Sequence, residues 1–274
     1  MATDRVAAVA NGTERIAAAF SAARDEGRAA LMPYMMGGFP DQETAGAIVA
    51  AYVDAEADLI ELGVPFSDPL ADGPVIHAAA TAALAGGASL ERVLETCAGA
   101  SGSVPVVVMC YANVILARGL DEYAELLAGA GAAGTIVPDL PIEEARELRE
   151  ALKARGIALV PLVSPTTPAE RRARICASAE GFVYVVSVSG VTGERRELPP
   201  ELAELVSAVR SESQVPAAVG FGVGTPEQAG AVGRIADGVI IGSRLVRIAG
   251  DAPDAAAAAG AVAEFLREAR IAMK

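Results

Sequence analysis

Lysine, histidine and tryptophan are nearly absent from this chain of 274 residues. It has two lysines, Lys153 and Lys274, one histidine, His77, and no tryptophan. A lysine that forms a Schiff base or anchors pyridoxal phosphate must lie in a pocket, but Lys153 lies in a helical segment and Lys274 is the C-terminal residue. Metal catalysis would need several histidines or a tight carboxylate cluster, whereas these carboxylates are scattered. We therefore expect chemistry based on carboxylates, hydroxyls or a tyrosine, without a metal.

The sequence also lacks long apolar runs and excess positive charge. No run approaches the roughly 18 apolar residues of a membrane span, and the N-terminus has no signal-peptide pattern, which predicts a cytoplasmic protein. The 22 basic and 35 acidic residues give a formal charge of −13, which argues against nucleic acid or anionic membrane as a partner. Cys97, Cys110 and Cys176 are odd in number and lie in apolar contexts, which predicts buried free thiols.

Short apolar, β-branched segments alternate with longer segments rich in Ala, Glu, Arg and Leu. The short segments predict eight strands, over 29–36, 58–64, 104–111, 134–139, 157–163, 181–188, 215–221 and 237–243. Continuously apolar strands separated by helices require a parallel sheet covered on both faces. The sequence therefore predicts a (β/α)₈ barrel, one domain over 1–274, with an extra N-terminal helix over 12–27 and a final helix over 251–274. A doubly wound open sheet is the alternative.

One carboxylate stands inside an apolar strand. Glu61 is flanked by leucine and isoleucine, and the following "LGVPFSDPLADGPVI" contains no lysine or arginine. A buried charge costs several kcal/mol unless it is paired or kept neutral, and catalytic residues of a barrel lie at the carboxyl ends of its strands. Glu61, Asp72 and Asp139 are therefore site candidates, as is Asp68 if it is more than a turn residue. A structural Glu61, paired with a distant arginine, is the alternative.

Three glycine-bearing loops follow the last three predicted strands. They read "SGVTG", "GFGVGTPEQ" and "IGSR". Barrel enzymes often bind phosphate with the loops after strands seven and eight and with a helix N-terminus, where free N–H groups face the anion. The residues placed for this role are Gly193, Gly222, Gly242 and Ser243.

The motifs together resemble one enzyme family. "ELGVPFSDPLADGPVI" matches the strand-two motif of the α subunit of tryptophan synthase almost unchanged, and "MPYMMGGFPD", "MCYAN", "PDLP", "SVSGVTG", "GFGVGTPEQ" and "IGSR" follow the family order over nearly the whole chain. The resemblance implies cleavage of indole-3-glycerol phosphate to indole and glyceraldehyde 3-phosphate, with no cofactor in this chain. It implies that Glu61 is the general acid and base and that Asp72 accepts the indole N–H.

The resemblance also assigns the surrounding residues. Tyr184 matches a tyrosine close to the reacting centre, Tyr34 and Phe221 match aromatic positions that flank the indole, and Thr192 lies in a loop that closes over the site. The four residues of the glycine loops match the phosphate cradle, and Asp139 matches a residue that faces the β subunit.

Two positions depart from the family pattern, and the partner is implied by resemblance alone. Met36 stands where many members have threonine, and Val114 where many have proline. The resemblance implies an α₂β₂ heterotetramer with a pyridoxal-phosphate-dependent β subunit. Two alternatives stay open: a stand-alone lyase that releases free indole, and a catalytically silent barrel subunit, against which the presence of both Glu61 and Asp72 argues.

Overall fold

Parallel strands alternate with helices along the chain. The computed structural model describes residues 11–186, 200–220 and 222–274. Each strand is short and nearly all of its residues are buried, as a sheet covered on both faces requires. The strands are β1 (Ala30–Met36), β2 (Ile60–Gly63), β3 (Val106–Met109), β4 (Gly134–Ile136), β5 (Ala158–Val160), β6 (Leu162–Val163), β7 (Val183–Val186), β8 (Ala217–Gly220) and β9 (Gly238–Ile241).

Polar side chains define where many of the helices begin. The side chains of Asn11, Asp41, Ser89, Thr225 and Asp254 each accept a hydrogen bond from a backbone N–H in the first turn of a helix, which satisfies a donor that the helix leaves unpaired. The helices are α1 (Gly12–Asp25), α2 (Gln42–Asp54), α3 (Pro74–Ala85), α4 (Leu90–Ser101), α5 (Ala112–Arg118), α6 (Leu120–Gly129), α7 (Arg146–Lys153), α8 (Ala169–Ala177), α9 (Pro200–Glu212), α10 (Pro226–Gly233), α11 (Ser243–Asp251) and α12 (Ala255–Ala272).

The sheet closes into a barrel through a strand that is broken in two. The strand order is β5-β4-β3-β2-β1-β9-β8-β7-β6, and its two ends, β5 and β6, are separated only by Pro161. Proline has no N–H to donate to a ladder, but its carbonyl still accepts a hydrogen bond from Tyr184 N. The predicted (β/α)₈ barrel is therefore confirmed, with its fifth strand split at Pro161.

Apolar side chains fill the space on both sides of the sheet. Outward-facing residues such as Ile60 and Leu62 belong to the large cluster between strands and helices. Inward-facing Met32 and Phe182 form a second cluster inside the barrel with Ile16 and Phe20 of α1. The N-terminal helix therefore covers the amino ends of the strands, which leaves the carboxyl ends for a site.

A network of ion pairs lies at the amino end of the barrel. The buried Arg28 guanidinium donates two hydrogen bonds to Asp58, at 2.5 and 2.8 Å, and Asp58 also accepts from Leu31 N. Arg270 and Glu26 extend the network towards the surface. The network joins the start of β1 to the segment before β2 and to the C-terminal helix.

The three cysteines are free and buried, as predicted. No helix among the described residues is long and apolar enough to cross a membrane.

Candidate active site

Glu61 lies inside the barrel on β2. It is level with Tyr34 on β1 and Val107 on β3, and only 1% of its surface is exposed. Its side chain points inward because the neighbouring residues, Ile60 and Leu62, point to the helices and strand residues alternate between faces. Neither carboxylate oxygen has a hydrogen-bond partner within the described part of the chain. The pairing with a distant arginine that would make Glu61 structural is not found there.

The environment of Glu61 favours its protonated form. Burial is the main cause that raises the pKa of this carboxyl group, to about 8, and the nearby charge of Asp72 adds to the effect. Both causes oppose ionisation, since an unsolvated charge beside a like charge is unfavourable. Glu61 therefore carries a proton near neutral pH, and its pKa lies in the range suited to an acid–base catalyst.

Asp72 lies in the loop between β2 and α3 and is half-buried. Burial raises the pKa of its carboxyl group, while a hydrogen bond from Tyr111 and the charge of His77 lower it. His77 itself is an exposed residue in the first turns of α3. Among the described residues, Glu61 thus has only influences that keep it neutral, whereas Asp72 has two that favour its charged form, although burial is the larger influence and leaves its pKa raised.

Two buried tyrosines complete the wall around the carboxyl groups. Burial raises the pKa of Tyr34 and of Tyr184 well above the usual value, and both carboxylates add to it. Each ring passes over a glycine: a Cβ at Gly63 would lie 2.1 Å from Tyr34 Oη, and one at Gly220 would lie 2.6 Å from Tyr184 Oη. The glycines provide the space for the rings. The structure therefore brings together Glu61 with three of the predicted site residues.

The described parts of the last two glycine loops lie at the same end of the barrel, where β8 and β9 finish. Gly242 is the residue before α11, and Ser243 is the first residue of that helix. A Cβ at Gly242 would be 3.7 Å from Tyr34 Cβ, so this helix start adjoins the aromatic wall. Gly222 follows β8 with φ +68°, a conformation that favours glycine. The predicted residues Thr192, Gly193 and Phe221 lie outside the described residues.

Asp139 lies in the segment that follows β4. Its Oδ1 accepts a hydrogen bond from Ala112 N at 2.9 Å, at the start of α5, so it connects the loop after β4 to the loop after β3. Asp68 is exposed and accepts a hydrogen bond from its neighbour Ser67, which fits a turn residue. Across residues 11–186, 200–220 and 222–274, no three His, Cys, Asp or Glu side chains are grouped as metal ligands.

One residue of the site, Tyr111, is not among those predicted from the sequence. Tyr111 follows β3 directly, is 3% exposed, and stacks on Phe66 with ring centroids 5.2 Å apart. It is the tyrosine of the quoted "MCYAN" motif, and its place at the end of a strand was a signal that could have identified it. Met36, one of the two departures, packs beside Tyr34, with Sδ 3.9 Å from Tyr34 Oη. Val114 is partly buried against the outer core.

The fold and the site define a class of protein, a (β/α)₈-barrel enzyme with a buried carboxyl group and a second carboxylate at the carboxyl ends of its strands. Comparison with known proteins gives the family. The family model described as tryptophan synthase alpha chain matches residues 20–273.

Curated relatives and solved structures agree. The tryptophan synthase alpha chain of Prochlorococcus marinus is 47% identical over 91% of this chain and 92% of its own, and that of a Roseiflexus species is 46% identical over 93% and 99%. A tryptophan synthase structure from Mycobacterium tuberculosis superposes with a TM-score of 0.88 at 36% identity, covering 97% of this chain and 99% of the other. The alpha subunit from Legionella pneumophila gives 0.87 at 34% identity, covering 97% and 99%. This chain therefore belongs to the tryptophan synthase alpha chain family and is a lyase of tryptophan biosynthesis.

Proposed function

We propose that this chain cleaves indole-3-glycerol phosphate to indole and glyceraldehyde 3-phosphate by a retro-aldol reaction, in the cytoplasm, as the α subunit of a tryptophan synthase. The observation that carries the proposal is the buried Glu61 carboxyl group, which has no hydrogen-bond partner among the described residues and a pKa raised to about 8 by burial and by the nearby Asp72. Family membership supplies the substrate, and the site supplies groups suited to the proton transfers.

Glu61 performs both proton transfers in this proposal. The protonated carboxyl group donates its proton to C3 of the indole, which makes an indolenine cation. The resulting carboxylate takes the proton of the hydroxyl group on the adjoining side-chain carbon while the bond from that carbon to C3 breaks. The bonding electrons neutralise the indolenine nitrogen, an aldehyde forms, and Glu61 is protonated again. The substrate provides its own electron sink, so the reaction needs no lysine.

Asp72 stabilises the charge that forms on the substrate. Its carboxylate accepts the indole N–H and faces the positive charge of the indolenine. This role requires the ionised form, and Tyr111 and His77 both favour that form. Tyr184 adjoins the reacting carbon, and the rings of Tyr34 and Phe221 hold the indole.

The phosphate group is held at the part of the barrel mouth where β8 and β9 end. Backbone N–H groups at the start of α11, in Gly242 and Ser243, face the anion where the helix dipole is positive. From the family resemblance, Gly222 and Gly193 also bind the phosphate, and Thr192 belongs to the loop that closes over the site. Because this site is separate from the carboxyl pair, phosphate binding and proton transfer are expected to respond to different substitutions.

The β subunit docks on the loops that follow β2 and β3 and contains the pyridoxal phosphate of an α₂β₂ assembly. Two large apolar side chains of the described residues are exposed in this region: Leu70, in the loop after β2, is 90% exposed, and Leu116, in the helix α5 that follows β3, is 66% exposed. Exposed apolar side chains of this kind mark protein interfaces when they are grouped. Direct transfer between the subunits would keep the apolar indole from escaping.

The test is release of indole from indole-3-glycerol phosphate by the purified chain, with and without a tryptophan synthase β subunit. We expect slow release alone, faster turnover with the partner, and one complex in size-exclusion chromatography. Full activity alone with two separate peaks would support the stand-alone lyase instead. No indole under either condition, with a complex still formed, would support the silent subunit.

A further inference from the structure

Tyr111 contacts the loop that carries Asp72 at two separate points. Here that loop, residues 64–73, is called the β2 loop. The Tyr111 ring stacks on Phe66 near the start of the loop, with 25° between the ring planes. Its hydroxyl group accepts a hydrogen bond from Ala71 N at 3.1 Å near the end of the loop. One side chain therefore joins both ends of the β2 loop to the end of β3.

The same hydroxyl group also acts on the catalytic candidate itself, the residue that follows Ala71. It lowers the pKa of the Asp72 carboxyl group, against the burial that raises it. A phenol that accepts one hydrogen bond still has its own proton to donate, so it can favour the carboxylate form of Asp72 from the same position. Tyr111 therefore acts on the position of Asp72 through the neighbouring backbone and on its ionisation through its carboxylate.

The middle of the β2 loop extends away from the barrel. Asp68 is exposed and Leu70 is 90% exposed, so this part of the loop has little packing of its own. A segment with few buried contacts is mobile unless other groups hold it. The contacts of Tyr111 lie on the barrel side of the loop, next to Asp72, where such support affects the site.

Tyr111 is itself held by its neighbours. The next residue, Ala112, donates its N–H to Asp139 Oδ1, and Tyr111 is nearly fully buried. The hydrogen bond from Ala112 ties the turn after β3 to the loop after β4. Tyr111 is therefore a rigid point from which the β2 loop can be positioned.

We propose that Tyr111 is a positioning residue: its ring and its hydroxyl group fix the β2 loop at Phe66 and Ala71 and thereby direct the Asp72 carboxyl group at the substrate. The catalytic consequence of this role rests on the proposed function. The positional and electrostatic consequences do not, since they concern only groups within this chain.

Tyr111→Phe is the direct test, because it keeps the ring that stacks on Phe66 and removes only the hydroxyl group. We expect turnover of indole-3-glycerol phosphate to fall about tenfold or more, the factor associated with one hydrogen bond to a charged group. Binding of glycerol 3-phosphate should stay within about twofold, because the phosphate cradle is separate. The matched control is Tyr123→Phe, which removes another buried tyrosine hydroxyl, bonded to Thr135, away from the site and should leave turnover unchanged.

Two further measurements separate positioning from a general structural role. Without the Tyr111 hydroxyl group, which lowers the pKa of Asp72, that pKa should rise, so the acidic limb of the pH–rate profile of Tyr111→Phe should move to higher pH. ¹³C NMR of aspartate-labelled protein should show the same rise directly, with Asp72→Asn identifying the signal. The amide of Ala71, which loses its acceptor, should exchange its hydrogen faster. In Phe66→Leu, which removes the ring stack alone, Ala71 should also exchange faster.

Unchanged turnover together with an unchanged Asp72 pKa in Tyr111→Phe would overturn the proposal. An equal loss of turnover in Tyr123→Phe, or loss of glycerol 3-phosphate binding in Tyr111→Phe, would overturn it too, because the effect would then be a general one. If the unmodified chain does not cleave indole-3-glycerol phosphate at all, the proposed function fails. The Asp72 pKa and the Ala71 exchange rate would still decide whether Tyr111 positions the loop.

Discussion

Asp58 and Glu61 are three residues apart, the first just before β2 and the second within it, yet their surroundings are opposite. At the amino end, the largely buried Asp58 accepts hydrogen bonds from Arg28 and from Leu31 N. Towards the carboxyl end, both oxygens of Glu61 lack a partner in the described residues. Asp58 therefore connects elements of the fold, whereas Glu61 holds a proton. In barrels of this kind the amino-end face commonly serves stability and the carboxyl-end face serves activity.

The largest expected effect is the loss of turnover when Glu61 is substituted. Glu61→Gln keeps the shape of the side chain but removes its proton transfer, so turnover of indole-3-glycerol phosphate should fall by about 10⁴-fold or more, the upper end for general acid–base catalysis. Binding of glycerol 3-phosphate should persist. A steady-state assay beside calorimetric titration measures both, with Glu212→Gln, a surface carboxylate paired with Arg172, as the control. Retained turnover would refute the assignment of Glu61.

Substitution of Asp58 should show the reverse pattern, with lower stability and unchanged turnover. Asp58→Asn leaves the buried Arg28 guanidinium without its main counter-charge, and breaking a buried pair typically costs about 3–5 kcal/mol of unfolding free energy. Turnover per folded molecule should not change. Urea denaturation followed by circular dichroism measures the loss. Glu26→Gln, on the exposed side of the same network, should change stability little, and a small effect of Asp58→Asn would show that the network is not what holds this end together.

The pH dependence of the unfolding free energy should report on the environment of Glu61. The pKa of Glu61 is about 8 in the folded chain against a reference value of 4.5. A raised folded-state pKa contributes stability that is complete below the unfolded pKa and is lost as pH rises through the folded one. Relative to Glu61→Gln, wild type should therefore lose roughly 3–4 kcal/mol between pH 5 and pH 8, as one pKa unit equals about 1.4 kcal/mol. A constant difference between the two proteins would contradict this environment for Glu61.

A smaller effect is expected at Gly63, two residues after Glu61 on β2. In Gly63→Ala the new methyl group would collide with Tyr34 Oη, so the ring must move. Overpacking of this kind costs about 1–3 kcal/mol, and turnover should fall as well. Gly46→Ala is the matched control: nothing lies within 4 Å of its Cβ position, and in the helix α2 it should raise stability by about 0.5–1 kcal/mol. Equal results for the two variants would show that Tyr34 is not closely packed on Gly63.

The special role of Glu61 could be predicted from the sequence, whereas the ion pairs of Asp58 could not. Glu61 stands out because an apolar run with no nearby base leaves a carboxylate unexplained. The partners of Asp58 are Arg28, thirty residues before it, and Arg270 near the C-terminus. Only the closed barrel brings these residues together, and no local pattern indicates which distant charges will meet.

The details of the site show the same limit. The eight strands follow from local apolar runs, but the break at Pro161 depends on which neighbour each half of the strand pairs with. The sequence shows that Gly63 and Gly220 are glycines, but it does not show that the rings of Tyr34 and Tyr184 occupy the space beside them. Tyr111 was missed because its importance arises from contacts with a loop about forty residues earlier.

Glu61 is protonated near neutral pH because the barrel buries its carboxyl group and offers it no hydrogen-bond partner among the described residues. Infrared difference spectroscopy across a pH titration measures this directly, since a protonated carboxyl group has a C=O stretching band that a carboxylate lacks. We expect a band that disappears with a midpoint near pH 8 and is absent in Glu61→Gln. In Asp72→Asn the midpoint should fall but stay above 4.5, because burial is the larger cause of the raised pKa. A Glu61 band that has already disappeared by pH 6 in the wild-type protein would contradict the account.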